Sequence, residues 1–394
     1  MIRCTVGVFA HNEAQNVRRT LHALLAQQLH NVEMTEIIVI ASGCTDGTVE
    51  LAEEVAKTYP IVTVDVETTR RGKAAAIKRL TAMARGEIVV MVGADTLPAP
   101  TAIEYLLEPF NDPKVGMTGA RVIPLNSPDD WLGFSVQMLW HVHHQLALRR
   151  PKLGELVAFR NVVDIPEDTS TDEPAIEALI TAKGYRTAYA PKAVVYNRGP
   201  ENLQEFLRQR RRVFAGQVHI AFRYRYLTSS LQARHAVPLI IEAIRSYPRF
   251  FLWTFATMTL ELWARLLGMY DVLRGPEDVV WRPIHSSKAM VRAQEAPELT
   301  LISVRWAPGS LDSAGFLREL QRLPDPVGSV FWWDGSHGEG LLKLHDADAP
   351  VERIQTEIQS VSRDHLRGRQ HILGSSLISC RLVRFPLPSS TLAS

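Results

Sequence analysis

Four short, β-branched apolar runs separated by segments of helical period most constrain how this chain can fold. Thr5–Ala10, Glu36–Ala41, Ile61–Val66 and Glu87–Val92 are of strand length, and Ala14–Gln28, Thr48–Thr58 and Lys73–Ala84 lie between them with helical spacing. Val115–Val122 is a fifth run of the same kind. Strand–helix alternation predicts βαβ units, and so an α/β fold with a mostly parallel sheet covered by helices on both faces. Ligands of such sheets bind where the strands end and the helices begin. The polar residues just after each run are therefore the candidates for chemistry.

Composition narrows the function. With 46% hydrophobic and 22% charged residues in 394, the chain is an ordinary globular one with room for two or three cores. Three scattered cysteines, Cys4, Cys44 and Cys380, exclude a disulfide framework and a paired-cysteine metal site. The N-terminal residues Met1–Val6 lack the charged-then-apolar pattern of a signal peptide, which predicts a cytoplasmic protein. A net charge of +2 excludes a uniformly basic nucleic-acid binder. That total conceals a local block: from Arg198 to Arg249 there are ten arginines against three acids.

Further along, helices are predicted at Trp131–Arg149, Pro174–Lys183 and Leu203–Arg225. His141, His143 and His144 lack the i,i+4 spacing of a helical metal pair and read as solvated or acceptor-side histidines. Segment 235–275 is the most apolar. Its uncharged core, Phe250–Leu260, has only eleven residues, against about 20 for a membrane span. With Trp253, Trp263, Tyr270 and flanking arginines it predicts an interfacial helix at a membrane surface, or a core helix pair. Residues 276–297 read as a linker, and 298–386 as a small α+β domain of βαββαβ, ferredoxin-like order, followed by a tail at 387–394.

Four loops follow the first four strands: Ala10-His11-Asn12-Glu13, Ser42-Gly43-Cys44-Thr45-Asp46-Gly47-Thr48, Arg70-Arg71-Gly72-Lys73 and Gly93-Ala94-Asp95-Thr96. Acids and amides so placed can bind a nucleobase and ribose, and a lysine at a helix start can meet phosphate. The glycine fingerprints of a dinucleotide fold and of a P-loop are both missing. Asp95, at the end of an apolar strand, is a hard oxygen ligand suited to Mg2+ or Mn2+.

Taken in order with three motifs farther along the chain, these loops resemble family 2 glycosyltransferases of GT-A fold. The later parts are Asp172-Glu173 ahead of a helix, Gly184-Tyr185-Arg186 with Ala190-Pro191-Lys192-Ala193, and Gln209-Arg210-Arg211-Arg212. The likeness covers roughly residues 1–215, within a catalytic domain at 1–234. It implies an inverting enzyme that moves a sugar from a nucleotide-diphosphate donor, a UDP-sugar, to a lipid-linked or glycan acceptor. It implies that Ala10, Asn12, Glu13, Ser42, Asp46, Lys73 and Ala94 line the donor site and that Asp95 holds Mg2+ or Mn2+. Asp172 or Glu173 would be the general base, with Gln209, Arg211 and Arg212 on the acceptor and diphosphate side. Three features depart from the pattern: Gly93 stands where the D-x-D motif has its first acid, the acidic pair runs Asp172-Glu173 instead of the commoner Glu-Asp, and Val213 stands at the tryptophan of Q-x-x-R-W.

The C-terminal module faintly resembles a GGDEF-type domain, its Ser336–Gly340 turn sharing only Glu339 in kind, and homodimerisation through it is an expectation. The expected setting is the cytoplasmic face of the inner membrane, peripherally bound. The competing reading is an inactive member of the fold that binds a nucleotide sugar or cyclic dinucleotide and regulates polysaccharide assembly.

Overall fold

The structure, a computed structural model, describes residues 1–127, 130–166, 172–231 and 251–275 and four C-terminal strands. The chain divides into two compact units, Met1–Met290 and Val291–Ser394.

The first unit is built on one eight-stranded sheet. Strands β1 (Ile2–Ala10), β2 (Val32–Ser42), β3 (Val62–Glu67) and β4 (Ile88–Gly93) are parallel, in the order β3-β2-β1-β4. Helices α1 (Val17–Leu25), α2 (Thr48–Thr58) and α3 (Lys73–Met83) make the crossovers. Side chains alternate across the sheet with the two-residue strand period. Val39 packs with Leu21, Val55 and Leu106 on one face, and Ile38 and Ile40 pack with Ile77 and Leu80 on the other. The predicted α/β sheet, covered on both faces, is the observed one.

Beyond β4 the order continues β7-β6-β8-β5. Here β5 is Leu97–Pro98, β6 Val115–Pro124, β7 Val157–Arg160 and β8 Arg186–Asn197. Strands β6 and β8 are parallel, whereas β7 runs antiparallel to both β4 and β6. The sequence pattern did not announce β5 or β7. Val157, Ala158 and Phe159 are all fully buried, so β7 shows no polar–apolar alternation, and four residues give no length signal. Helices α4 (Ala102–Leu107), α5 (Trp131–Arg149), α6 (Asp172–Ala182), α7 (Leu203–Tyr224) and α8 (Phe251–Arg274) complete the unit's described helices of more than one turn, apart from a 3-10 stretch after α4.

The second unit shows a four-stranded antiparallel sheet of β9 (Leu299–Trp306), β10 (Val330–Asp334), β11 (Glu339–Lys343) and β12 (Ile378–Phe385), in the order β10-β11-β9-β12. The expected helices of this module, its 336–338 turn, the 276–297 linker and the tail lie outside the described residues.

Helix α8 is one continuous helix of 24 residues, and it docks with its polar side inward. Thr254, Thr257, Glu261, Ala264 and Gly268 are its buried positions. Ser135 and Thr257 share a hydroxyl hydrogen bond of 2.6 Å, and Trp131 Nε1 donates to the Trp253 carbonyl at 3.3 Å. Against α7, a side chain at Gly268 would meet the Arg211 carbonyl oxygen at 2.6 Å, so only glycine allows that approach. Arg210 grips the buried Glu261 carboxylate in a bidentate pair at 2.7 and 2.9 Å, with Arg265 adding a third contact at 3.0 Å. Leu252, Phe255, Leu262, Leu266, Met269 and Leu273, by contrast, are exposed along one stripe. Among the described residues, no helix is long and apolar enough to cross a membrane.

Burial works to raise the Glu261 carboxyl, but Arg210 and Arg265 outweigh it and hold the group down at about 2. A depressed carboxylate stabilises the fold above its unfolded value and loses that contribution as pH falls through its folded value. Glu261→Gln is therefore expected to destabilise the protein by about 2–3 kcal/mol at pH 7 in denaturant unfolding, by leaving the half-buried Arg210 guanidinium uncompensated. The gap between variant and wild type should narrow as pH falls from about 4.5 towards 2.

Candidate active site

The loops at the C-terminal ends of β1 and β2 are tied into one rim. Asn12 adopts a left-handed φ of 55°, and its side-chain oxygen accepts from the Thr45 N–H at 2.8 Å. The Glu13 N–H donates to Thr48 Oγ1 at 2.7 Å, and its buried carboxylate accepts from Asn16 Nδ2 at 2.9 Å. Asp46 accepts from the Thr48 N–H at 3.0 Å, and from the Ala14 N–H at 3.2 Å. The Asn12, Glu13 and Asp46 side chains thus brace the rim. Ser42 differs: its hydroxyl is buried without a protein partner, while its carbonyl meets His11 Nδ1 at 2.7 Å. An orphaned hydroxyl beside a strand end is what a bound polar ligand would satisfy. Ala10 is buried at the end of β1, its carbonyl facing Cys44 Sγ at 3.6 Å.

At the end of β4 the chain turns tightly through Gly93-Ala94-Asp95. The Ala94 N–H bonds the Phe9 carbonyl at 2.9 Å, and the Thr96 N–H bonds the Gly93 carbonyl at 3.1 Å. This presents Asp95 at the sheet edge. Glu155, just before β7, is brought to the same place. Burial is the main force raising the Glu155 carboxyl, to about 7, and the charges of Asp95 and Glu173 add to it. No sequence motif marks Glu155. A lone glutamate after Gly154 belongs to no pattern, and it reaches the site only through the unannounced strand.

Helix α3 opens at Lys73, after Gly72 at φ 99°. Lys73 stays partly exposed, 37% of its side chain, but its ammonium is already engaged. Its Nζ reaches α6, 2.8 Å from Glu173 Oε1 and 3.8 Å from Asp172 Oδ2. Burial disfavours the ammonium, but the two carboxylates outweigh it and keep Lys73 charged. The acids thereby part company. Burial pushes Asp172, only 3% exposed, up to about 7. Glu173 is also penalised by burial, yet the Lys73 ion pair and hydrogen bond hold it below the ordinary carboxylate range.

On α7 the three arginines separate. Arg210 and Arg211 turn to α8, where Arg211 pairs bidentately with Asp271. Arg212 is the one whose charge acts on Asp172. The diphosphate-side expectation for Arg211 thus meets a guanidinium engaged with a neighbouring helix, and Gln209 is half-buried on α7. Of the three histidines only His144 is buried, bonding the Tyr189 hydroxyl at 2.7 Å; His141 and His143 are half-buried, and His143 Nε2 meets the Lys152 carbonyl at 3.0 Å.

Among the described residues, no group of three or more His, Cys, Asp or Glu side chains is gathered around one point. A hard divalent ion of the kind that binds with phosphates needs only one or two protein carboxylates, its other positions going to water and phosphate oxygen. The Asp95 end of the site fits that donor set.

The glycosyl transferase family 2 profile matches residues 5–158, and the glycosyl transferase family group 2 profile matches residues 88–286, just over half of the chain. A poly-beta-1,6-N-acetyl-D-glucosamine synthase of Staphylococcus aureus (strain COL) is 27% identical over 264 residues, 63% of this chain and 61% of that protein. A probable glycosyltransferase of Bacillus subtilis (strain 168), YdaM, is 22% identical over 245 residues, 56% of this chain and 57% of that one. The chain thus spans about three fifths of the length of these curated relatives. Among solved structures, the mannosyltransferase PcManGT of Pyrobaculum calidifontis, in complex with GDP-Man and Mn2+, superposes with a TM-score of 0.51 at 23% identity, covering 68% of this chain and 87% of that one. A GT-A sheet, and a family match across more than half of its length, show that the chain belongs to the family 2 glycosyltransferases.

Proposed function

We propose that the enzyme transfers a sugar from a UDP-sugar to a hydroxyl of a lipid-linked or glycan acceptor, with inversion, and that Asp172 is the general base. The observation that carries this is the division of labour between the two acids. A base works best with a pKa near the operating pH and free to meet its proton. Asp172, near 7 and 3.8 Å from Lys73, suits that role better than Glu173, which is locked to the same lysine at 2.8 Å. One base and direct displacement lead to inversion.

The remaining residues take roles that follow from their places. Ser42 and Ala10 line the nucleoside end, with Asn12, Glu13 and Asp46 holding the loops around it. Asp95, with Ala94 behind it, holds the divalent ion, and Arg212 and Gln209 face the acceptor and diphosphate side. Mg2+ or Mn2+, when bound, supplies charge neutralisation of the nucleoside diphosphate leaving group. The relationship to a poly-N-acetylglucosamine synthase supports a glycan product.

Attachment to an acidic membrane surface, at the cytoplasmic face, is part of the same proposal. The stripe from Leu252 to Leu273 is joined on α8 by exposed Phe251, Trp263 and Tyr270, while small and polar residues face the protein. Small residues between helices and apolar ones outside are the arrangement suited to lipid contact.

UDP release with Mn2+, measured over a panel of UDP-sugars with glycan acceptors, should identify a donor. With that donor kcat/KM should rise with pH and level off above about 7, because the base must be ionised. Asp172→Asn should lower kcat by about 10²–10⁴-fold. Undiminished turnover would remove Asp172 from the role. Lys73→Met should move the rising limb to higher pH, since Lys73 lowers the Asp172 pKa. Anionic vesicles should sediment the wild-type protein, and Leu262→Glu with Leu266→Glu should weaken that partition by about tenfold or more, each leucine contributing about 1.5–3 kcal/mol when buried. Equal partition of the two proteins would reject the lipid-facing assignment.

A further inference from the structure

The turn after β4 carries one carboxylate, Asp95, where the motif it resembles has two, because position 93 is glycine. The sheet register shows what stands beside that gap. Strand β7 pairs antiparallel with β4: Ile88 lies opposite Arg160, Val89 opposite Phe159, Val90 opposite Ala158 and Met91 opposite Val157. Gly93 lies two residues beyond Met91 and Glu155 two before Val157, so both fall just past the paired stretch, at the same end of β4 and β7.

The side chains agree with that placement. A Cβ built at Gly93 would lie 2.5 Å from Asp95 Oδ1, so the Asp95 carboxylate fills the room a side chain there would need. Glu155 accepts a hydrogen bond from Asn197 Nδ2 at 3.2 Å through Oε1, which fixes one oxygen on β8. Asp95 is the like charge that acts on it most strongly, followed by Glu173, with Lys73 opposing them. Its backbone sits at φ 60°, a left-handed conformation that strains a non-glycine residue and that clusters at ligand clamps. Two carboxylates are thus held together at one sheet edge against their mutual repulsion, from opposite strands.

We propose that Glu155 is the second carboxylate of the divalent-cation subsite, holding Mg2+ or Mn2+ together with Asp95 in place of an acid at position 93. This rests on the reading of Asp95 as the cation carboxylate. A cation between the two removes the repulsion, and two carboxylates with diphosphate oxygens and water make a set that Mg2+ and Mn2+ accept. The site's specificity for the ion is then set by two strands, β4 and β7, and not by one loop.

The test is Mn2+ binding, followed by loss of the free-ion electron paramagnetic resonance signal, with UDP and separately with GDP present, together with the melting temperature of each metal-free protein. Glu155→Gln should weaken Mn2+ binding by about tenfold or more, and Asp95→Asn by at least as much. Metal-free Glu155→Gln should melt at or above the wild-type temperature, since it neutralises one of two facing like charges, and should lose most of the rise that Mn2+ with UDP or GDP gives the wild type. Wild-type Mn2+ affinity in Glu155→Gln alongside a weakened Asp95→Asn overturns the proposal and leaves Asp95 standing. A metal-free melting temperature several degrees below wild type makes Glu155 a structural acceptor and overturns it too. If neither variant changes binding, or the wild type retains no Mn2+ with either nucleotide, the reading of Asp95 falls with it.

Discussion

The ion cluster of Lys73 with Asp172 and Glu173, open to solvent on the lysine's side, joins the two halves of the catalytic sheet. Lys73 opens α3, on the side of the sheet built by the first βαβ units, and the acids open α6, a hundred residues later. Two carboxylates largely withdrawn from water are costly unless an opposite charge meets them. One ammonium shared between two carboxylates leaves the balance unequal: the nearer acid is held ionised, and the farther one titrates near neutral pH. The same contact that fixes α6 on α3 therefore also decides which acid can exchange a proton. Gly72 makes this possible, because its left-handed φ lets α3 begin with the lysine aimed across the sheet.

Much of this is legible in the sequence, and the reasons that the rest is not are physical. Strands β1 to β4 and helices α1 to α3 follow from periodicity because each element buries a regular face. The polar loops follow from the rule that ligands meet parallel sheets at strand ends. Which of Asp172 and Glu173 is the freer acid stays open in the sequence, since adjacent residues share a composition and a motif and differ only in burial and in distance to Lys73. Arg211 reads with Arg212 because they adjoin, but neighbours on a helix point about 100° apart, and that turn sends one to Asp271 and the other towards Asp172. Glu155 is invisible: it depends on an antiparallel strand of four buried residues, and register between distant segments is not written in local pattern.

The apolar segment near residue 260 shows the limit of hydropathy in another way. Its composition announces a buried or interfacial helix, but not which side faces the protein. The structure turns Thr257, Glu261 and Gly268 inward and leaves the leucines outside, because the partners available on α5 and α7 are a serine hydroxyl, two arginines and a bare stretch of backbone. Polar complementarity and close approach hold this helix in place, together with the edge contact of Trp253 on Phe134.

That attachment sets where the catalytic unit ends. A chain cut after α7 would keep every strand of the sheet and every loop of the site, yet it would leave Arg210 and Arg211 with their carboxylate partners removed on one flank of the helix that carries Gln209 and Arg212. The smallest piece able to hold α7 in shape therefore runs through Arg274, and the outward leucines come with it. Any excised, soluble form of the enzyme must carry its own sticky face.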